Sequence, residues 1–136
     1  MKPLLLAFGA SFFLIGSALA VEGKSAPLEV EMGGQVYLCG LKAQLADITK
    51  GAKQKELQEE VKSCSENSRE KIKLLVKSEY KKYPDGDPVK DKIKAMYSAY
   101  LTYMSAALWG KDLTESSEAV SFKEKVSDYK AEVELR

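Results

Sequence analysis

Apolar residues run almost unbroken from Leu4 to Ile15, after a lone cation at Lys2. Ser17-Ala18-Leu19-Ala20 then puts small residues at Ala18 and Ala20. A charged start, a short apolar core and an A-x-A exit form the pattern of a secretory signal peptide. Residues 1–20 are therefore expected to be removed by cleavage between Ala20 and Val21. The run is too short and wrongly flanked for a membrane-spanning helix. No cysteine follows the cut to carry a lipid. The product is expected in the periplasm or the medium, with no stable membrane anchor after cleavage.

Beyond the leader the pattern turns helical. Residues 21–33 read as a flexible leader, with Gly23, Ser25 and Pro27 at its start and Met32-Gly33-Gly34 as the last break. Leu38, Leu41, Leu45 and Ile48 then recur at spacings of 3, 4 and 3, one stripe of an amphipathic helix. Gly51 follows, suited to the left-handed conformation that ends a helix. Leu57, Val61 and Cys64 resume the rhythm, and Ile72, Leu75, Val76, Tyr80 and Tyr83 carry it on. Asn67 with Glu70 three residues later could open a fresh helix as a capping pair. One long helix over Lys53–Tyr83 is favoured over two pieces.

Pro84-Asp85-Gly86-Asp87-Pro88 is the clearest stop in the chain. Pro84 disfavours helix at Tyr83, and Asp85-Gly86 is turn chemistry. Asp87 makes a good N-cap, with Pro88 at the first helical position. Ile93, Met96, Tyr97, Tyr100, Leu101, Met104 and Leu108 share one broad face of the next helix, which Gly110 ends. Thr114, Ser116 and Ser117 are candidate caps before the last helix, and Ser121 with Glu124 matches a capping box. Phe122, Val126, Tyr129 and Val133 follow at spacings of 4, 3 and 4. No convincing strand is present. The pattern predicts an all-α bundle of about four helices over residues 34–136.

Cysteine content sharpens this topology. Cys39 and Cys64 stand on either side of Gly51, at nearly equal distance. Two helices folded back at Gly51 bring them level. In an exported protein two cysteines pair by default. A Cys39–Cys64 disulfide across an antiparallel helical hairpin is therefore expected. It closes a loop of about 26 residues, worth about 3.5 kcal/mol in the chain-entropy model.

Charge and residue types then narrow the function. Of 21 basic residues only Lys2 lies in the leader, so the rest of the chain balances its 20 acidic residues. That argues against nucleic acid and against attraction to an anionic membrane. The chain has no histidine, which removes Ser-His-Asp and Cys-His catalysis and the usual histidine-bearing zinc sites. No serine sits in a nucleophile or phosphate-loop motif. No catalytic residue, metal or cofactor is expected.

The remaining candidates each have a plainer reading beside them. Asp85, Asp87 and Asp91 could gather oxygens around calcium, but they lack the spacing of a calcium loop and read better as a turn and cap. Glu59, Glu60, Glu66 and Glu70 offer carboxylate pairs of the glycosidase type. Interleaved lysines and arginine make them an ordinary salt-bridged helix exterior. Tyr97, Tyr100, Tyr103 and Met104 make a patch near Trp109 that suits a core, a ligand pocket or a protein-binding surface. Tyr103 falls off the main stripe and is expected to be exposed. Tyr80-Lys81-Lys82-Tyr83 could anchor a partner or pack under the adjoining turn. The candidate partner-binding residues are Tyr80, Tyr83, Tyr103 and Trp109.

One arrangement resembles a known family. Val36-Tyr37-Leu38-Cys39-Gly40-Leu41 on a first helix, Cys64, then Leu74-Leu75-Val76, Tyr80 and Tyr83-Pro84 resemble the periplasmic immunity proteins that neutralise amidase effectors of type VI secretion. The family's proline after the second cysteine, and its later cysteine, are absent. Only the two cysteine positions carry over. The resemblance implies an inhibitor that binds an enzyme.

The combined expectation is an exported, non-enzymatic helical protein that binds a macromolecule, with another protein or a second copy of the chain as candidate partners. A binding module predicts an exposed aromatic patch on a charged surface. A chaperone-like protein predicts a cradle with an apolar concave face. A small-ligand binder predicts an inter-helical pocket. An enzyme predicts a deep pocket with convergent, perturbed carboxylates.

Overall fold

The computed structural model describes residues 26–136, so the signal peptide and its cleavage site lie outside the described residues. Helix α1 (Leu28–Ile48) starts where Pro27 offers its carbonyl to the N–H groups of Val30 and Glu31, both at 3.0 Å. The expected flexible leader over residues 21–33 is thus corrected from Leu28 onward. Gly33 and Gly34 cost helix stability, about 1 kcal/mol each against alanine. Burying Leu28 and fully burying Met32 outweighs that cost.

Gly51, at φ +77°, reverses the chain as expected. Helix α2 (Ala52–Tyr80) then runs through Ser65–Ser68 without a break. Asn67 and Glu70 therefore cap no second helix, and Ser65 and Ser68 face inward. Ser68 donates to Gln35 Oε1 at 2.7 Å and lies 3.3 Å from Cys39 Sγ, so α1 absorbs its polarity. Cys39 and Cys64 form the expected disulfide, with Cα atoms 5.7 Å apart.

Helix α3 (Pro88–Leu108) opens on Asp87, whose carboxylate accepts from the Val89 N–H at 2.9 Å. It is the central helix, packed on both α1 and α4 and only lightly on α2. Helix α4 (Ser117–Glu134) is capped by Ser116, whose hydroxyl accepts from the Ala119 N–H at 3.2 Å. Ser121 therefore lies inside the helix, and the capping-box reading is corrected in favour of Ser116. Among the described residues there is no strand, and no helix is long and apolar enough to cross a membrane.

The core joins Met32, Val36 and Cys39 of α1 to Ile72 of α2. Val89, Ile93, Met96, Tyr100 and Met104 come from α3, and Phe122 and Tyr129 from α4. The inward face of α1 is not the leucine stripe. Met32, Val36, Cys39, Ala43 and Ala46 are buried, while Leu38, Leu41 and Leu45 are about half exposed and Ile48 more so. The buried set recurs at spacings of 4, 3, 4 and 3, as good a helical period as the leucines offer. Its small members let α1 approach α3 closely. A Cβ on Gly40 would stand 2.6 Å from Leu113 Cδ2 and 3.2 Å from Ala107 Cβ.

Candidate partner-binding site

Trp109 is the one expected site residue that stands free. Helix α3 ends in a tight reversal in which Gly110, at φ +78°, donates to the Ala107 carbonyl at 3.1 Å. Lys111 donates to the Ala106 carbonyl at the same distance. This turn anchors Ala106 and Ala107 in the core and swings the indole outward, 87 % exposed. Beside it lies an open cleft of about 260 Å³, where the end of α1, the start of α2 and the end of α3 meet. Ala43, Ala46, Val61 and Leu108 give it an apolar floor, with Asp47 and Gln58 at its edge. Asp47 makes no ion pair among the described residues.

The other three predicted residues do not join this site. Tyr103 is buried, contrary to expectation. Its hydroxyl donates to the Leu113 carbonyl, and its ring tilts against Phe122 with centroids 5.5 Å apart. The loop after α3 folds back over it, a long-range contact that helical spacing alone does not reveal. Tyr80 and Tyr83 stand at the opposite end of α3, about 30 Å from Trp109 at 1.5 Å per helical residue.

At that end charge closes the bundle. Lys90 sits over the Tyr80 ring, 4.6 Å from its centroid, and reaches Asp85 at 2.6 Å. Glu79 accepts from Tyr129 at 3.1 Å and Tyr83 at 3.4 Å and pairs with Lys82 at 2.6 Å. Arg136 lies over the Tyr83 ring and pairs with Asp87, the residue that caps α3. That pairing first, then the Val89 N–H, holds the Asp87 carboxyl below its ordinary value. Asp85 is likewise lowered by Lys90. The calcium candidates Asp85, Asp87 and Asp91 are thus committed to Lys90, Arg136 and, at 3.8 Å, Lys94. Among the described residues no three metal-ligating side chains converge.

Two larger grooves flank α3. One, about 710 Å³ between α2 and α3, is bordered by Glu66, Arg69, Glu70, Lys73, Tyr97 and Leu101. The other, about 400 Å³ between α3 and α4, is bordered by small side chains with Glu118 and Lys125. Both open to solvent along their length. Tyr100, fully buried in the core, has its hydroxyl pushed up to about 12 by burial, and that oxygen has no hydrogen-bond partner.

One surface feature was not legible in the sequence. Val30, Tyr37, Leu38, Leu41, Leu45 and Ile48 form an exposed apolar ridge along the whole outward side of α1. The leucine stripe was visible, but its direction was not. The missed signal was the second apolar stripe, 32/36/39/43/46, of the same period, which contains the crosslinked Cys39. Compared with protein-family models, curated proteins and solved structures, the chain has no match in any of the three.

Proposed function

We propose that the protein is exported and works without catalysis, by binding another protein through Trp109 and the cleft beside it, as an inhibitor or immunity factor does. The observation that carries this reading is the exposure of the chain's single tryptophan. Most tryptophan surface is withdrawn from water in a folded chain, and tryptophan, with tyrosine and arginine, is enriched among the energetic anchors of interfaces. The apolar cleft gives a partner side chain somewhere to go, and the unpaired Asp47 beside it suits a partner cation. Export rests on the leader pattern, and the Cys39–Cys64 disulfide fits an oxidising compartment. The grooves along α3 are open channels, not the deep pocket with convergent carboxylates that an enzyme predicts. The apolar ridge runs along one outward helix and so does not form a chaperone's cradle.

The test is a photo-crosslinking amino acid at position 109, introduced in the exporting host. The expected result is a discrete adduct with one exported protein. Purified, that protein should bind the chain, lose its activity on binding, and bind Trp109→Ala at least roughly tenfold more weakly. No adduct, or a partner indifferent to Trp109→Ala, overturns the proposal.

A further inference from the structure

The α1 ridge and the Trp109 cleft are separate surfaces, and the ridge has a feature the cleft lacks: it matches itself. Along the outward line of α1 the residues are Val30, Gly34, Tyr37, Leu41, Gln44 and Ile48, at spacings of 4, 3, 4, 3 and 4. That is the 3.5-residue repeat of a two-helix seam. Leu38 and Leu45 widen it on the α2 side. No charged residue lies on this line over its length of about 27 Å. We propose that the ridge is the seam of a homodimer, in which α1 packs antiparallel against α1 of a second copy.

Register favours a second copy. Turn one helix end for end about its midpoint, near Cys39. Val30 then meets Ile48 of the other copy, Tyr37 meets Leu41, and Gly34 meets Gln44. Alternate seam positions are thus paired, as antiparallel two-helix packing requires. The central pairing sets an aromatic against a leucine, twice. The third sets the ridge's one notch against its one long polar side chain. A Cβ on Gly34 would have nothing within 4 Å, so the notch is open space in the free chain. Antiparallel packing also sets the helix dipoles head to tail.

Area agrees with this assignment. The six exposed apolar side chains leave on the order of 600 Å² open to water, at the top of the range for the largest patch on a monomer. Two such faces, fully covered, give at most about 1,200 Å², where specific interfaces begin. The ridge also has a polar rim around an apolar centre. Lys42–Glu60 at 3.2 Å and Lys71–Glu31 at 2.7 Å border it on the α2 side.

The experiment is sedimentation of the chain purified from a bacterial periplasm, its N-terminus read by mass spectrometry, at about 1 to 100 µM. The expected species has twice the mass of the chain. Leu41→Glu and Tyr37→Lys should each weaken the dimer roughly 30-fold or more, because each sets a charge in a buried seam. Their thermal melts, taken as monomers, should match the parent. Mixing the two variants should restore a dimer, since position 37 of one copy faces position 41 of the other. Trp109→Ala should leave the dimer intact, which keeps this test separate from that of the partner cleft.

A monomer at 100 µM overturns the proposal. A monomer that crosslinks from position 41 to a different protein, or to its own retained leader, assigns the ridge to that occupant instead. A dimer untouched by Leu41→Glu uses another face, and a mixture that stays monomeric rules out the antiparallel register. Each of these also overturns it.

Discussion

Helices α1 and α2 are the two arms of one disulfide-linked hairpin, yet they meet water differently. The outward side of α2 is a run of lysines, arginine and glutamates, several paired across to α1. The outward side of α1 is a line of leucines with valine, tyrosine and isoleucine. Both arms bury a narrow inner stripe, so the fold asks the same of each. The difference lies on the faces the fold leaves open. A charged face is stable in water as it stands. An apolar face of this size is at the top of the range that monomers leave exposed. The fold therefore holds the hairpin in shape through its inner stripes and leaves α1 with an apolar outer face and α2 with a charged one.

The comparison is most directly broken on α1 itself. Met32→Ala should cost about 2–5 kcal/mol, because Met32 is fully buried. Leu41→Ala, measured by urea unfolding at concentrations low enough to hold a monomer, should cost no more than about 0.5 kcal/mol. Equal costs would mean that the ridge is part of the core. Next in size is the staple. Replacing both Cys39 and Cys64 by serine should lower stability by up to about 3.5 kcal/mol. Amide hydrogen exchange should then rise first in α2, which touches α3 only lightly. Protection lost first in α4 would contradict this.

Two glycines test the same contrast on a smaller scale. Gly34→Ala meets open space and should stabilise the monomer by about 1 kcal/mol. Gly40→Ala drives a methyl into Leu113 and Ala107 and should destabilise by about 1 kcal/mol or more, read from thermal melts. Like signs would refute the assignment of inner and outer faces. In the core, Tyr100→Phe removes a buried hydroxyl that has no partner, and should leave stability unchanged or raise it by up to about 1 kcal/mol.

The smallest effect is at the end of the bundle that charge closes. The Asp87 carboxyl is depressed in the folded chain, chiefly by Arg136 and then by the Val89 N–H. Its stabilisation is therefore present above the ordinary aspartate value and is lost as pH falls through the depressed one. The gap in Tm between the parent and Asp87→Ala should shrink as pH is lowered from about 5 to about 2. A gap that widens on acidification would show that Asp87 is not held in this pair.

Much of the fold was legible because it is written locally. Asp87-Pro88 starts a helix through one side chain and one missing N–H. Gly51 and Gly110 take positive φ where the chain must reverse. The two cysteines stand level across Gly51 because helical rise is constant. At the candidate site, Trp109 was legible because it follows the last helical turn before a glycine. Tyr103 was not, because the group that buries it, the Leu113 segment, folds back from beyond the helix.

By itself the sequence determined the four helices, the breaks at Gly51 and Pro84–Pro88, the Asp87 cap, the staple between the first two helices, and the presence of a leucine-rich stripe on α1. These depend on interactions within a few residues or on the rise of a helix. The sequence misplaced the start of α1 and the capping box of α4. Only the tertiary structure decided which stripe of α1 turns inward. Two stripes satisfied the same helical period. The choice between them rests on fit: Cys39 must reach Cys64, and α1 can approach α3 closely only through its glycine and alanines. The larger leucines were left outside, where they form an exposed ridge.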